Sequence, residues 1–401
     1  VHIALDYTTG IYPGAGIARY TRSLVWALAR LDRHNRYSLF YAARGLPRPT
    51  PETAQADELL AQHPNFRGVP APFSVRQMFA AWQRLRLPLP VDFFTGRCDV
   101  VHSPDFVSPP HRTGADVITV HDLSFLVVPE CAEPKLAAFL GKTVPAAVRR
   151  ADGIIAVSNQ TKRDLVRLLS VAESKIVVAH NGVDERFRLT TTDDSSPSAH
   201  RPTTDDRRSS SAQLRQELNL PSRFILHVGT LEPRKNLKRL VEAYGLLAPG
   251  QRSDTALVLA GRRGWLYEPI IQAAEEVNRN GGRVVFVDYV DDVDLPVLYS
   301  MAELFAYPSL YEGFGLPAAE AMAGGVPTLV STDGALAEVT GKAALAVDPH
   351  SVESIAGGLQ RLIEDEALRA KLAEEGPRQV AQFTWEASAE KVLSVYNDFG
   401  S

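Results

Sequence analysis

Two acids bracket a glycine-rich turn in SLYEGFGLPAAEAMAGGVP, residues 309–327: Glu312 stands before Gly313-Phe314-Gly315-Leu316-Pro317, and Glu320 follows. Glycines let a backbone approach a ligand closely. Pro317 suits the first turn of a helix, where its missing N–H costs nothing. The amides of Gly313 to Leu316 therefore lead into a helix N-terminus, a place that favours an anion. Carboxylates do not bind phosphate, but they accept hydrogen bonds from hydroxyls. With Glu312 in the loop and Glu320 in the first helical turn, the stretch suits a ligand carrying both phosphate and hydroxyls, such as a nucleotide sugar. The bland alternative is a turn and an ordinary helix whose acids face water.

A second cluster, HVGTLEPRKNLKRL at 227–240, crowds Arg234, Lys235, Lys238 and Arg239 at a helix start. Lys238 and Arg239 read as a solvated basic face. Arg234 and Lys235 follow a strand and the turn Gly229-Thr230, which aims them at a ligand. Arg offers a fork for phosphate oxygens and Lys a compact charge. Both side chains are expected to be exposed, so that replacing them lowers turnover and leaves folding alone. TTGIYPGAGIARY at 8–20 contains Gly14-x-Gly16 but has Arg19 where the dinucleotide fingerprint places its third glycine. It is a weak nicotinamide signal and reads instead as a turn that brings Gly16 near a phosphate. DVITVHDLS ends a strand with His121 and Asp122; a lone strand-end histidine is more often structural than functional. The acidic run DYVDDVD at 288–294 invites a metal reading, but loop and helix-cap roles are expected of it. The ten histidines show no zinc spacing.

The elements that must carry these residues alternate. HIALD, YSLFYA, DVVHS, DVITVHD, GIIAVS and KIVVAH read as buried strands in the first half, with amphipathic helices such as IARYTRSLVWALARL and SNQTKRDLVRLLS between them. FILHVGT, ALVLAG, RVVFVDYV, LFAYPS, PTLVST and ALAVDP repeat the alternation after residue 220. Short apolar runs alternating with helices argue for parallel sheets built from βαβ units. Two series argue for an α/β chain of two doubly wound, Rossmann-like domains facing a cleft, with ligands at the carboxyl ends of the strands. The expected boundaries are 1–183 for the first domain, 213–383 for the second, and 384–401 for a closing amphipathic helix that packs back on the first. Residues 189–212, LTTTDDSSPSAHRPTTDDRRSSSA, are too polar to offset the entropy of ordering and read as a flexible insertion.

The composition, 45% hydrophobic and 22% charged over 401 residues, is that of a globular chain able to bury two cores. No apolar run reaches the roughly 18–20 residues that span a bilayer. The opening VHIALD reads as a strand and not as a signal peptide, although the chain begins without Met. Cys98 and Cys131 fit neither CxxC chemistry nor a disulfide framework, so reduced thiols and a cytoplasmic location are expected. Residues 1–180 carry 21 Lys+Arg against 15 Asp+Glu, and the remainder is acidic; such halves suggest different partners. No dense basic stripe with interleaved aromatics is present, so nucleic acid is not expected as a partner.

Together these stretches resemble the retaining glycosyltransferases of family 4, the group 1 glycosyltransferases, with the GT-B architecture. The resemblance covers nearly the whole chain outside 189–212. It is most specific in YEGFGLPAAEAMAGGVP, then in VGTLEPRKN and in the order of GAGIARY, VHD, AVSNQTKRDL and NGVD. It implies that Glu320 holds the ribose hydroxyls of a nucleoside-diphosphate sugar and that Glu312 contacts the donor sugar near its C3 hydroxyl. It implies that Gly313, Phe314, Gly315 and Leu316 present amides to sugar and diphosphate, and that Arg234 and Lys235 neutralise the diphosphate. Gly16 would approach the phosphate, and His121 the sugar. Many relatives have Arg where this chain has Thr230, so Thr230 joins the donor-binding set and the cationic work falls to Arg234 and Lys235. The implied activity is transfer of a hexose, mannose or glucose favoured, from GDP-mannose or a UDP-sugar to an oligosaccharide or lipid-linked acceptor, in cell-surface polysaccharide or glycolipid synthesis, with no cofactor and no metal required. The alternatives are a GT-B sugar-nucleotide epimerase and an inactive sugar-nucleotide-binding protein.

One further stretch, VRQMFAAWQRLR at 75–86, sets Val75, Met78, Phe79 and Trp82 at helical spacing, flanked by Arg76, Arg84 and Arg86. It reads as one apolar face, either packed on the first domain's core or docked on a lipid-linked acceptor or the inner face of a membrane.

Overall fold

The computed structural model describes residues 1–14, 16–84, 89–188 and 210–400. The chain forms two compact units. The first comprises Val1–Leu126, Ala138–Gly182 and Phe383–Ser401, and the second Val127–Ala137 and Val183–Gln382.

Among the described residues the first unit holds seven strands: β1 His2–Asp6, β2 Arg36–Ala42, β3 Phe66–Ala71, β4 Val100–Ser103, β5 Ala115–Val120, β6 Gly153–Ala156 and β7 Ile176–Val178. They lie in the order β3-β2-β1-β4-β5-β6-β7. The second unit holds β8 Phe224–Val228, β9 Ala256–Ala260, β10 Val284–Val287, β11 Leu304–Tyr307, β12 Thr328–Ser331 and β13 Leu345–Val347. Their order is β10-β9-β8-β11-β12-β13. Neighbouring strands are parallel: Ile3 faces both Tyr37 and Val100, and Leu304 faces Ile225. Helices cover the sheets, which is why the inner strands are unbroken apolar runs. The expected α/β class of two doubly wound sheets is what the chain adopts.

Three features depart from the sequence reading. Strand β3, FRGVPA, was not anticipated. It lies at the sheet edge, where Pro70 is tolerated because no ladder bond is required of it there, and Arg67 turns its Nε to Ser38 Oγ at 2.8 Å. Most of the polar stretch expected at 189–212 lies outside the described residues, but its last part is ordered: Ser210 Oγ accepts from Gln213 N and caps the helix Ser211–Glu217. The apolar set at 75–82 does not form one face. The helix Val75–Phe79 widens into a π-turn over Ala80–Arg84, which changes the angular step between residues. Met78 is buried in a cluster with Phe40, Ala71 and Val101, and Trp82 packs beside it with Nε1 donating to the Leu89 carbonyl at 3.0 Å. Val75 and Phe79 remain 44% and 43% exposed. Arg86 and the side chain of Arg84 lie outside the described residues.

The helix Trp385–Phe399 belongs to the first unit. Thr384 caps it, and a Cβ on Gly182 would sit 2.2 Å from the Trp385 nitrogen, so only glycine lets the chain pass there. Beneath the helix runs a buried polar relay. Tyr396 OH meets His102 Nδ1 at 2.5 Å, His102 Nε2 meets Thr119 Oγ1 at 3.0 Å, and Thr119 Oγ1 meets Tyr20 OH at 3.2 Å.

Burial pushes His102 down to about 3, with the nearby His121 adding to the effect, and burial pushes His227 on β8 down to about 4. An unfolded histidine takes up its proton near pH 6.5. Between that value and the depressed folded values the unfolded chain binds more protons than the folded one, so acid favours unfolding. Full stability is therefore expected above pH 6.5, with a loss that grows as the pH falls towards 4. Thermal melts from pH 8 to pH 4.5 test this, and a melting temperature that is level or rising on acidification contradicts it.

Candidate active site

In the second unit the connections from β8 and β11 leave in opposite directions, which makes the gap between these neighbours the switch point where doubly wound sheets collect ligands. The two loops at their carboxyl ends are those carrying GTLEPRKN and YEGFG. They are stitched together by backbone and amide. Leu310 N donates to the Arg234 carbonyl at 2.9 Å, and Asn236, in the left-handed region at φ 60°, donates from Nδ2 to the carbonyls of Pro308 and Pro349 at 2.9 and 2.6 Å.

Four charges meet across this seam. Lys235 Nζ donates to Glu312 Oε1 at 2.7 Å and to Tyr307 OH at 2.5 Å. Arg234 donates from Nη1 to Glu312 Oε2 and to the Tyr311 carbonyl, both at 2.9 Å, and from Nη2 to Glu232 Oε1 at 2.7 Å. Lys235 and Glu312 are each only 8% exposed. Burial alone would raise the Glu312 carboxyl, but the charges of Arg234 and Lys235 outweigh it and hold the group down at about 2. Burial and the neighbouring Arg234 draw the Lys235 ammonium below its usual value, against the pull of Glu312 and Glu232. Burial likewise keeps the Tyr307 phenol protonated. The expectation of exposed cations separable from the fold is thus corrected: Arg234 and Lys235 are struts between two loops as well as charges.

Glu232 is a participant that sequence reading passed over. Its signal was an acid two positions before Arg234 in the same turn. His227 is another: its Nδ1 donates to the Ala306 carbonyl at 2.9 Å and its ring stacks on Tyr307 at 5.1 Å. Thr230 follows β8 between Gly229 and Leu231, whose N–H donates to the Arg262 carbonyl at 2.9 Å.

Beyond Glu312, Gly313, Phe314 and Gly315 are buried, and Gly315 caps the helix Leu316–Ala323 at φ 94°. A Cβ there would approach Leu336 Cδ2 to 2.4 Å, so glycine is required twice over. Because the helix starts at Leu316, Glu320 is its fifth residue and belongs to the second turn, not to the first as expected. Its carboxylate is buried and accepts from Tyr299 OH at 3.1 Å.

Gly16 and His121 lie in the first unit. Gly16 caps the helix Ile17–Leu31 at φ 55° with open space where a side chain would project. His121 follows β5 and sits edge-on to Tyr20 at 4.7 Å. Asp122 accepts from Ser124 N at 2.8 Å and shapes its loop. In the acidic run, Asp294 stands immediately before the helix Leu295–Ser300, without a side-chain cap bond. Among the described residues no group of three or more His, Cys, Asp or Glu is arranged to hold a metal ion, and no helix is long and apolar enough to cross a membrane.

Residues 210–379 match the family described as Glycosyl transferases group 1, and residues 14–187 match Glycosyltransferase Family 4. The O-antigen chain mannosyltransferase B of Escherichia coli is 31% identical over 389 residues, 96% of each chain. Among solved structures, the sucrose-phosphate synthase of Thermosynechococcus elongatus is similar in fold, with a TM-score of 0.72 and 23% identity over 99% of this chain and 98% of that one. Anabaena HepE, in complex with UDP and glucose, gives a TM-score of 0.69 at 18% identity over 99% of each chain. With two parallel sheets of this order, the EPRK and EGFG loops joined at a switch point, and a relative matching end to end, the chain belongs to the family 4, group 1 glycosyltransferases: it is a hexosyltransferase of GT-B fold.

Proposed function

We propose that this enzyme moves mannose from a nucleoside-diphosphate mannose to a hydroxyl of a growing cell-surface polysaccharide, with retention at the anomeric carbon. The identity along nearly the whole of a mannosyltransferase that builds O-antigen chains carries the choice of sugar and acceptor class. In the proposed reaction the bond between the anomeric carbon and the diphosphate oxygen breaks, its electron pair leaving with the diphosphate. The acceptor oxygen attacks from the face the diphosphate is leaving and gives its proton to the departing phosphate oxygen. Charge grows on that oxygen, and Lys235, Arg234 and the amides of Gly315 and Leu316 are the groups assigned to stabilise it. Glu320 takes the ribose hydroxyls. Glu312 keeps acceptor capacity for one sugar hydroxyl beyond its bonds to the two cations. Held ionised yet neutralised by those cations, it is a poor nucleophile, which supports retention without a glycosyl-enzyme intermediate. Exposed Val75 and Phe79 beside exposed Arg76 support a peripheral contact with an anionic membrane on the cytoplasmic side.

GDP-mannose, UDP-glucose and UDP-GlcNAc are compared for nucleoside-diphosphate release with and without oligosaccharide acceptor, in EDTA, and the product anomer is read by NMR. Acceptor-dependent turnover of GDP-mannose to an α-linked product is expected. Epimerised donor with no acceptor consumed points to an epimerase, absence of turnover with every donor to a binding protein, and loss in EDTA restored by manganese to a metal-borne diphosphate charge.

A further inference from the structure

Lys235 Nζ stands over a wall of stacked rings inside the second unit. On β11, Phe305 and Tyr307 project to one face, with centroids 5.7 Å apart and planes 20° from parallel. His227, on the neighbouring β8, lies against both: 6.4 Å from Phe305 and 5.1 Å from Tyr307, within 7° and 16° of parallel. All three side chains are buried. The Lys235 ammonium lies 4.9 Å from the Tyr307 ring centroid and donates to the phenol oxygen. An ammonium has three N–H donors. One goes to Tyr307 and one to Glu312, which fixes the direction of the third.

His227 is itself tied in place. The Ala306 carbonyl only accepts, so Nδ1 carries the hydrogen, and this bond anchors the ring to β11 one residue before Tyr307. The neutral ring then keeps its lone pair on Nε2, a buried atom with no hydrogen-bond partner among the described residues. Nε2 and Lys235 Cε lie 3.3 and 3.6 Å from the point where a Cβ on Gly229 would stand, so the lone pair and the lysine stem are neighbours. A lone pair there tolerates the ammonium, whereas an imidazolium would repel it. The sequence offers these residues only as apolar strand positions; the phenol and the imidazole give the wall its polar contact with Lys235.

We infer that Tyr307 and His227 are positioning residues for Lys235: the phenol holds the ammonium, the imidazole backs the phenol, and the third N–H of Lys235 is thereby aimed at the departing diphosphate. The assignment rests on the placement of the diphosphate proposed above. It moves part of the control of the reaction from the loops into the sheet beneath them.

The full chain is treated, without substrate, with a trace of an amine-acylating reagent. Labelling of Lys235 is read by mass spectrometry against the exposed Lys238 of the same molecule. Only a neutral amine is acylated, and a hydrogen bond to the ammonium favours the charged form. Tyr307→Phe removes that acceptor and keeps the ring, so Lys235 labelling is expected to rise about tenfold and kcat to fall about tenfold. The donor KM is expected to change less, because an aimed cation acts most on charge that develops in the transition state. His227→Phe, which keeps a ring behind the phenol, is expected to stay within about threefold of wild type in both readouts. His227→Leu, which does not, is expected to follow Tyr307→Phe. Equal behaviour of the Phe and Leu variants overturns the role of the His227 ring. In the residual turnover of Lys235→Met, adding Tyr307→Phe is expected to change nothing, because its route of action is gone. A further loss of similar size there shows that Tyr307 acts on its own and overturns the inference, as does unchanged Lys235 labelling in folded Tyr307→Phe. Labelling that rises while turnover holds overturns instead the placement of the diphosphate beside Lys235.

Discussion

Lys235→Ala is expected to lower turnover by about 10²–10³-fold, the range for loss of a group that stabilises charge in a transition state. The same substitution is expected to lower the melting temperature, because it leaves the Glu312 carboxylate buried with half its partners. Breaking a buried pair by removing one member costs about 3–5 kcal/mol; Arg234, still 2.9 Å from Glu312, holds the loss towards the lower end. The two effects separate in a double variant. Lys235→Met with Glu312→Gln removes both charges while keeping volume, so the melting temperature is expected to recover most of the way while activity stays absent. Calorimetry and nucleoside-diphosphate release on the same preparations check this. A Lys235→Ala protein that melts like wild type refutes the strut, and one that turns over like wild type refutes the placement of the diphosphate.

Gly315→Ala is expected to abolish measurable transfer. An alanine at φ 94° takes on about 1–2 kcal/mol of backbone strain, and its Cβ meets Leu336 at a distance no contact allows. Leu336, only 2% exposed, has little room to yield, so relief also draws on the loop or the start of the helix Leu316–Ala323. Either shift displaces the amides proposed to receive the diphosphate, and a displacement of about 1 Å in positioned groups costs about 10²-fold. Gly16→Ala is the matched control: its φ is also positive, but among the described residues beyond its chain neighbours no atom lies within 4 Å of the added carbon. Gly16→Ala should therefore be the milder of the two in stability. If kcat/KM for Gly315→Ala equals that of wild type, the Gly315 and Leu316 amides do not touch the reacting groups.

The two sheets were legible because inner parallel strands are covered on both faces and stand out as apolar runs. Strand β3 was not, since an edge strand that includes Arg67, Gly68 and Pro70 lacks that signature. The EPRK and EGFG loops could each be read as ligand loops, but their union could not. Arg234 and Glu312 are 78 residues apart, and only the adjacency of β8 and β11 brings them to 2.9 Å. Sequence therefore presented two cations and an acid as separate contacts, where the fold makes them one buried assembly that also includes Glu232. The start of the helix carrying Glu320 depended on Gly315 adopting a left-handed cap, a conformation that glycine permits and does not announce. The face drawn through Val75, Met78, Phe79 and Trp82 assumed a constant helical step, and the π-turn at Ala80–Arg84 removes that constancy.

The relay from Tyr396 through His102 and Thr119 to Tyr20 has a consequence for how the protein is made. A ribosome delivers β1 to β7 first, with residues 127–137 of the second unit among them, then the rest of the second unit, and only then residues 383–401. Until that last segment emerges, His102 and Thr119 face an unfilled site, and the groove that receives Trp385, Val392 and Tyr396 stays open to water. The first unit begins earlier and closes last, so it is the half that a stop codon after residue 382 would leave unfinished.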